Sequence, residues 1–157
     1  MTLLKMITGF VLVCGLIDVR STSLFTQQNS ALAQLSVEVI ARGLDTPWAI
    51  DFAPDGRVFL TERPGRIRII ENGQLLAEPW MITDSVEVGE GGLLGLALDP
   101  QFAVNRYVYV AYTYRSPEGR LQNRLARLRE DPMTRRGVFD RVLLESVPGN
   151  SNHDGGR

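Results

Sequence analysis

An all-β fold is the class this sequence predicts, on three observations. From Val37 onward, short runs rich in β-branched and aromatic residues recur, each bounded by Pro, Gly, Asn or Asp, the signature of strands joined by tight turns. No stretch sustains a helical period. The pattern also repeats: Ile50-Asp51-Phe52-Ala53-Pro54 leads to Val58-Phe59-Leu60, and Leu96-Ala97-Leu98-Asp99-Pro100 leads to Tyr107-Val108-Tyr109-Val110. The two prolines lie 46 positions apart and the second strands 50 apart. A strand, a Pro-marked turn and a second strand recurring at about 45 residues is the spacing of β-propeller blades.

The chain opens with a segment that does not belong to that fold. A short, weakly basic start at Met1 to Lys5 precedes an apolar stretch from Met6 to Ile17. The stretch is too short to span a bilayer, which takes about 20 residues, but it suits the core of a secretory signal. Ala31-Leu32-Ala33 offers a cleavage site before Gln34, so residues 1–33 are expected to be a signal peptide. Export to the periplasm or beyond follows, with no integral membrane span after cleavage. Cys14 is the sole cysteine and follows Val13 rather than the small residue that lipid attachment requires. Cleavage after Ala33 removes it, which excludes disulfides and thiol chemistry from the mature chain.

Residues 34–157 carry the propeller. Val37 to Ile40 is expected to be the first strand, followed by Trp48 to Phe52, a Pro54-Asp55-Gly56 turn, Val58 to Glu62, Ile67 to Ile70 and an Asn72-Gly73 turn. Trp48, at the start of an inner strand, is expected to pack in the core. The second unit continues through Arg124 to Leu128, whose alternation suits a half-exposed strand, and Val142 to Leu144. Arg115 to Leu121 and Asp131 to Gly137 are expected loops, and Pro148 to Gly156 a long polar one. Hydrophobic residues make up 44% and charged residues 22% of the chain, as in ordinary soluble domains. Lys5 is the only lysine, and the arginines are scattered, leaving no basic footprint for nucleic acid or membrane.

Loops that enter the inner strands carry the candidate site. Thr46-Pro47 and Gly91-Gly92 each precede an expected inner strand and Gly155-Gly156 is expected to precede a third, and in a propeller such entrances converge near the axis at one face. Glu90 and Asp154 fall at matching positions, with His153, the only histidine, one residue earlier. Convergent polar groups around a concavity are the usual form of a binding site.

Four stretches in this order resemble the soluble quinoprotein sugar dehydrogenases, the glucose/sorbosone and aldose sugar dehydrogenases. They are Gly43 to Ile50, Pro54 to Arg63, Gly89-Glu90-Gly91-Gly92-Leu93-Leu94-Gly95, and Ser151-Asn152-His153-Asp154-Gly155-Gly156-Arg157. The resemblance implies a six-bladed propeller, of which residues 34–157 supply roughly the first two blades, truncated at the C-terminus. It also implies pyrroloquinoline quinone (PQQ) and calcium as cofactors, an aldose oxidised at its anomeric hydroxyl to a lactone, and an external electron acceptor. Most cofactor ligands would lie beyond residue 157, so this chain alone is expected to be inactive and to expose apolar faces and strand edges.

The same resemblance makes His153 the general base, taking the hydroxyl proton as hydride leaves for the quinone. Asn152, where some relatives carry aspartate, can bind a sugar hydroxyl or orient the imidazole. Glu90, where relatives often have glutamine, is a candidate for substrate or cofactor contact. Gly155 and Gly156 either let the backbone approach a flat ligand or simply turn the loop into a strand. Three other readings remain open, one of them a calcium-requiring sugar-lactone hydrolase on a related propeller, which would form product without an electron acceptor. Asn150-x-Asn152-x-Asp154-Gly155 matches the opening of a calcium loop, although one histidine and no mature cysteine offer no other metal cluster. An extracellular propeller can also hold carbohydrate or protein at this face without catalysis.

Overall fold

The computed structural model describes residues 36–152 together with Asp154 and Gly156. The expected signal at 1–33, Cys14, His153 and Gly155 lie outside the described residues. The chain divides into Met1–Ser36 and Val37–Arg157, and the fold below is that of the second unit.

Among the described residues nine strands and one helical turn follow in order: β1 (Pro47–Phe52), β2 (Val58–Glu62), β3 (Arg66–Glu71), β4 (Gln74–Leu75), β5 (Met81–Ile82), β6 (Leu93–Leu98), α1 (Phe102–Asn105), β7 (Tyr107–Arg115), β8 (Leu121–Glu130) and β9 (Gly137–Pro148). They form two antiparallel sheets, β1-β2-β3-β4 with β5 also on β3, and β6-β7-β8-β9. In the first sheet the outer strand is split. β4 pairs with the C-terminal end of β3 and β5 with its N-terminal end, with Pro79 in the segment between them, where a residue lacking an N–H breaks a ladder. The turn before β4 is set by Asn72 and Gly73, both at positive φ (52° and 73°), the geometry of a type I′ hairpin.

The sequence repeat is structural. Ile50 pairs with Leu60 and Leu96 with Val110, and both sheets shift register at the start of the inner strand, between Pro47 and Ile50 and between Leu93 and Gly95. α1 replaces the shorter turn of the first unit, and its Phe102 is buried.

The core lies between the two sheets. Phe59 and Ile69 of the first sheet meet Val108, Val110 and Leu128 of the second. Phe59 stacks edge-on against Trp80 (5.4 Å) and Phe102 (5.5 Å), each pair worth about 0.5–1.5 kcal/mol beyond its buried area. Polar groups fasten the same seam: Thr61 Oγ1 donates to Leu94 O at 2.8 Å, and Leu98 N donates to Asp51 Oδ2 at 2.8 Å. Buried Arg57 donates to Glu130 at 2.5 and 3.0 Å, and Trp80 Nε1 donates to the same carboxylate at 3.2 Å.

Three expectations are corrected. Residues 37–40 form no strand; among the described residues no strand pairs with them, and a lone extended segment has no ladder to satisfy it. Trp48 is 42% exposed, because it lies on the face of the first sheet that turns away from the second. There it lines a groove of about 350 Å³ with Ile40, Leu44, Ile50 and Leu60. The strand expected at Val142 to Leu144 is part of the twelve-residue β9, whose three register shifts against β8 interrupt the alternation that would have revealed its length.

Candidate functional site

At one end of the sheets, the loop between β5 and β6 meets the segment that follows β9. The first loop is held from below. Val86 N donates to Thr113 O at 2.8 Å, Arg63 grips Glu87 at 2.7 Å, and the Tyr112 hydroxyl donates to Asp84 at 2.7 Å. Burial pushes that hydroxyl well above the ordinary phenol range, and its bond to Asp84 adds to the shift, so it stays a donor at neutral pH. The loop closes on itself where Gly91 N donates to Val88 O at 2.8 Å.

Its tip touches the second segment. Glu90 N donates to Ser151 O at 2.9 Å, and both Glu90 and Asn152 are exposed. Gly89, at φ +56°, comes so close that a Cβ there would lie 1.8 Å from Ser151 O, which no side chain could tolerate. Further along, a Cβ on Gly95 would lie 2.3 Å from Gly156 O, and one on Gly156 would lie 3.2 Å from Leu94 Cδ1. The small size of Gly156 therefore serves close packing against the second sheet.

Asp154 lies against Gly91, the residue after Glu90. It is half-buried, and its Oδ1 accepts from Asn150 N at 2.8 Å and Asn123 Nδ2 at 3.2 Å. Asn150 Oδ1 accepts from Ser151 N at 2.7 Å. Two oxygens of the calcium-loop pattern, Asn150 Oδ1 and Asp154 Oδ1, thus accept from backbone donors of the segment itself. Among the described residues no three His, Cys, Asp or Glu side chains gather into a metal-binding group. A groove of about 380 Å³ beside Met81, Tyr112 and Phe139 is lined by neither Glu90 nor Asn152.

Sequence reasoning found both loops through their glycines. It missed Thr113 and Asn123, which support Asp154 from neighbouring strands. A Thr and an Asn in alternating strands carry no local sign of such a role.

Paired sheets built on one repeat, with loops gathered at the end of their inner strands, define two blades of a β-propeller, with the candidate site residues on those loops. A family model described as glucose/sorbosone dehydrogenase matches residues 44–157, and the chain belongs to that family. The aldose sugar dehydrogenase of Escherichia coli is 32% identical over 133 residues, covering 82% of this chain and 36% of the relative. The crystal structure of a Thermus thermophilus oxidoreductase, described as a glucose dehydrogenase, superposes with a TM-score of 0.68 at 43% identity. It covers 76% of this chain and 35% of the other. The PQQ-bound aldose sugar dehydrogenase of Streptomyces coelicolor matches with a TM-score of 0.65 at 28% identity, covering 77% and 36%. The chain thus spans about a third of the length of each of these proteins.

Proposed function

We propose that these two blades serve an exported quinoprotein that oxidises the anomeric hydroxyl of aldose sugars to lactones, with His153 as the general base. The observation that carries this reading is the contact between the Glu90 loop and Ser151, which brings together two of the four stretches that carry the family resemblance. The relatives named for aldose sugar and for bound PQQ support the substrate class and the cofactor.

The described residues fit such a ligand in part. Exposed Glu90 and Asn152 offer acceptors and an amide donor suited to sugar hydroxyls. They offer no counter-charge to a tricarboxylate such as PQQ, and the nearby Arg63 is paired with Glu87; that charge is assigned to residues outside the described ones. For calcium the described residues form no ligand set, and no step is placed on it.

When bound, the quinone supplies the two-electron oxidant. This chain's residues handle the proton and the sugar. Neutral imidazole at His153 accepts the anomeric hydroxyl proton as the C–H bond breaks, leaving the lactone carbonyl. Asn152 orients the sugar or the imidazole, and Glu90 accepts hydrogen bonds from sugar hydroxyls. Residues 37–157 alone are inactive in this reading. Among the described residues no helix is long and apolar enough to cross a membrane. Removal of residues 1–33 would leave a mature chain beginning at Gln34.

The test is His153→Ala in the full-length protein loaded with PQQ. Dye reduction with glucose should fall by a factor of about 10²–10⁴ while the quinone remains bound. Turnover within threefold of the parent would overturn the assignment. Carbohydrate or protein capture with no turnover in either form would move the protein to the binding class.

A further inference from the structure

Asp154 carries an arrangement that the proposed chemistry does not use. Its Oδ1 closes a turn onto Asn150 N (2.8 Å) and also receives Asn123 Nδ2 (3.2 Å). Asn123 Oδ1 in turn accepts from the Thr113 hydroxyl at 2.8 Å. Thr113 is fully buried, and its N–H holds Gly92 O at 3.0 Å. Three polar side chains thus run from the centre of the second blade to the segment after β9.

The other carboxylate oxygen, Oδ2, is buried with no hydrogen-bond partner among the described residues, an unfavourable state for a charged oxygen. It occupies the space that Gly91 leaves empty. A Cβ at Gly91 would lie 2.8 Å from both Asp154 Oδ2 and Thr113 Oγ1. Asp154 therefore rests on the loop that presents Glu90, and Ser151 O is held by Glu90 N on the other side. These anchors fall two residues before and one residue after His153.

We propose that Asp154 is a positioning residue: its side chain clamps the 150–154 turn to the second blade and the Glu90 loop, fixing the backbone on both sides of His153. The proposal rests on the assignment of His153 as base. Its chemical requirement is the acceptor at Oδ1. Asparagine supplies that acceptor, and alanine does not. A catalytic group displaced by about 1 Å can lose about a hundredfold in rate, so loosening this turn acts on kcat.

Asp154→Ala, Asp154→Asn and Asn123→Ala are compared in the full-length PQQ-loaded protein, with two readouts. In Asp154→Ala, amide hydrogen exchange over the peptide spanning 149–156 should accelerate at least about tenfold, and kcat should fall about ten- to hundredfold. The sugar KM and the quinone absorbance should stay near those of the parent. Asp154→Asn should retain slow exchange and most of kcat, and Asn123→Ala should shift both in the direction of Asp154→Ala but less.

Parental exchange in Asp154→Ala overturns the proposal, and so does equal impairment of the Asn and Ala variants. If Asp154→Ala does not fold, parental exchange in Asn123→Ala overturns it. His153→Ala is assayed in parallel. Its retained turnover would sink the base assignment while the exchange data still decide whether the clamp exists.

Discussion

Glu130 shows how one side chain can hold two blades. Its carboxylate takes two bonds from Arg57 and one from Trp80, all buried, and Arg57 turns its other edge to Asp55 at 2.8 Å. The guanidinium also lies 5.1 Å from the centre of the Phe59 ring, so the charge is seated within the aromatic core. Removing one partner of a buried pair strands the other. Glu130→Ala should therefore lower the unfolding free energy by about 3–5 kcal/mol, read from urea midpoints of a chain containing both blades. A loss below about 1 kcal/mol would mean that Asp55 alone satisfies Arg57.

At the scale of strands, Glu62 does similar work at the end of β2. It accepts from Asp45 N at 2.7 Å, from Arg66 Nε at 2.6 Å and from Arg68 Nη1 at 3.4 Å, joining the approach to β1 with β3. Burial alone would raise its pKa, but the Arg66 bond, the Asp45 N–H and the two arginine charges outweigh burial and hold it below the ordinary carboxylate range. The Arg57 hydrogen bond lowers Asp55 in the same direction, against a smaller effect of burial. Carboxylates depressed in the folded state contribute stability above their unfolded pKa and lose it as pH falls through the folded one. Unfolding free energy should thus be level near neutrality and decline below about pH 4. Glu62→Gln should be less stable at pH 7 and flatter in acid; an unchanged slope would remove Glu62 from the explanation.

The same strands show what the chain made legible. Turn chemistry at Pro54-Asp55-Gly56 and Asn72-Gly73 marked the turns, and the spacing from Leu60 to Val110 marked the repeat, whose equivalent pairs are Ile50 with Leu60 and Leu96 with Val110. The glycines around Glu90 marked the site loop because close approach there leaves no room for a Cβ. Residues 37–40 and Trp48 misled for one reason. Their composition reports a need for burial, and what would bury them is not specified locally. Asn123 escaped notice because its partner lies 31 positions away.

Across the two blades, much apolar surface faces outward. On the first sheet Ile50 is 59% and Phe52 70% exposed, and on β9 Phe139 is 50% and Leu144 57% exposed. Patches of this kind mark surfaces that pack against something, and blades of a repeat array bury their faces against neighbours. Residues 37–157 expressed alone should self-associate, seen as light scattering that rises with concentration. Supplying the adjoining blades should suppress it. A monodisperse monomer at about 100 µM would contradict this account of the exposed faces.

The clamp between the blades also has a clock. Arg57 leaves the ribosome 73 residues ahead of Glu130, which at 5–20 residues per second is a delay of roughly 4–15 s. For those seconds the first blade has its guanidinium without Glu130 and its aromatic face uncovered. The second blade ends that vulnerable interval. A chain lacking Glu130 completes synthesis without acquiring the partner for which its first blade has waited.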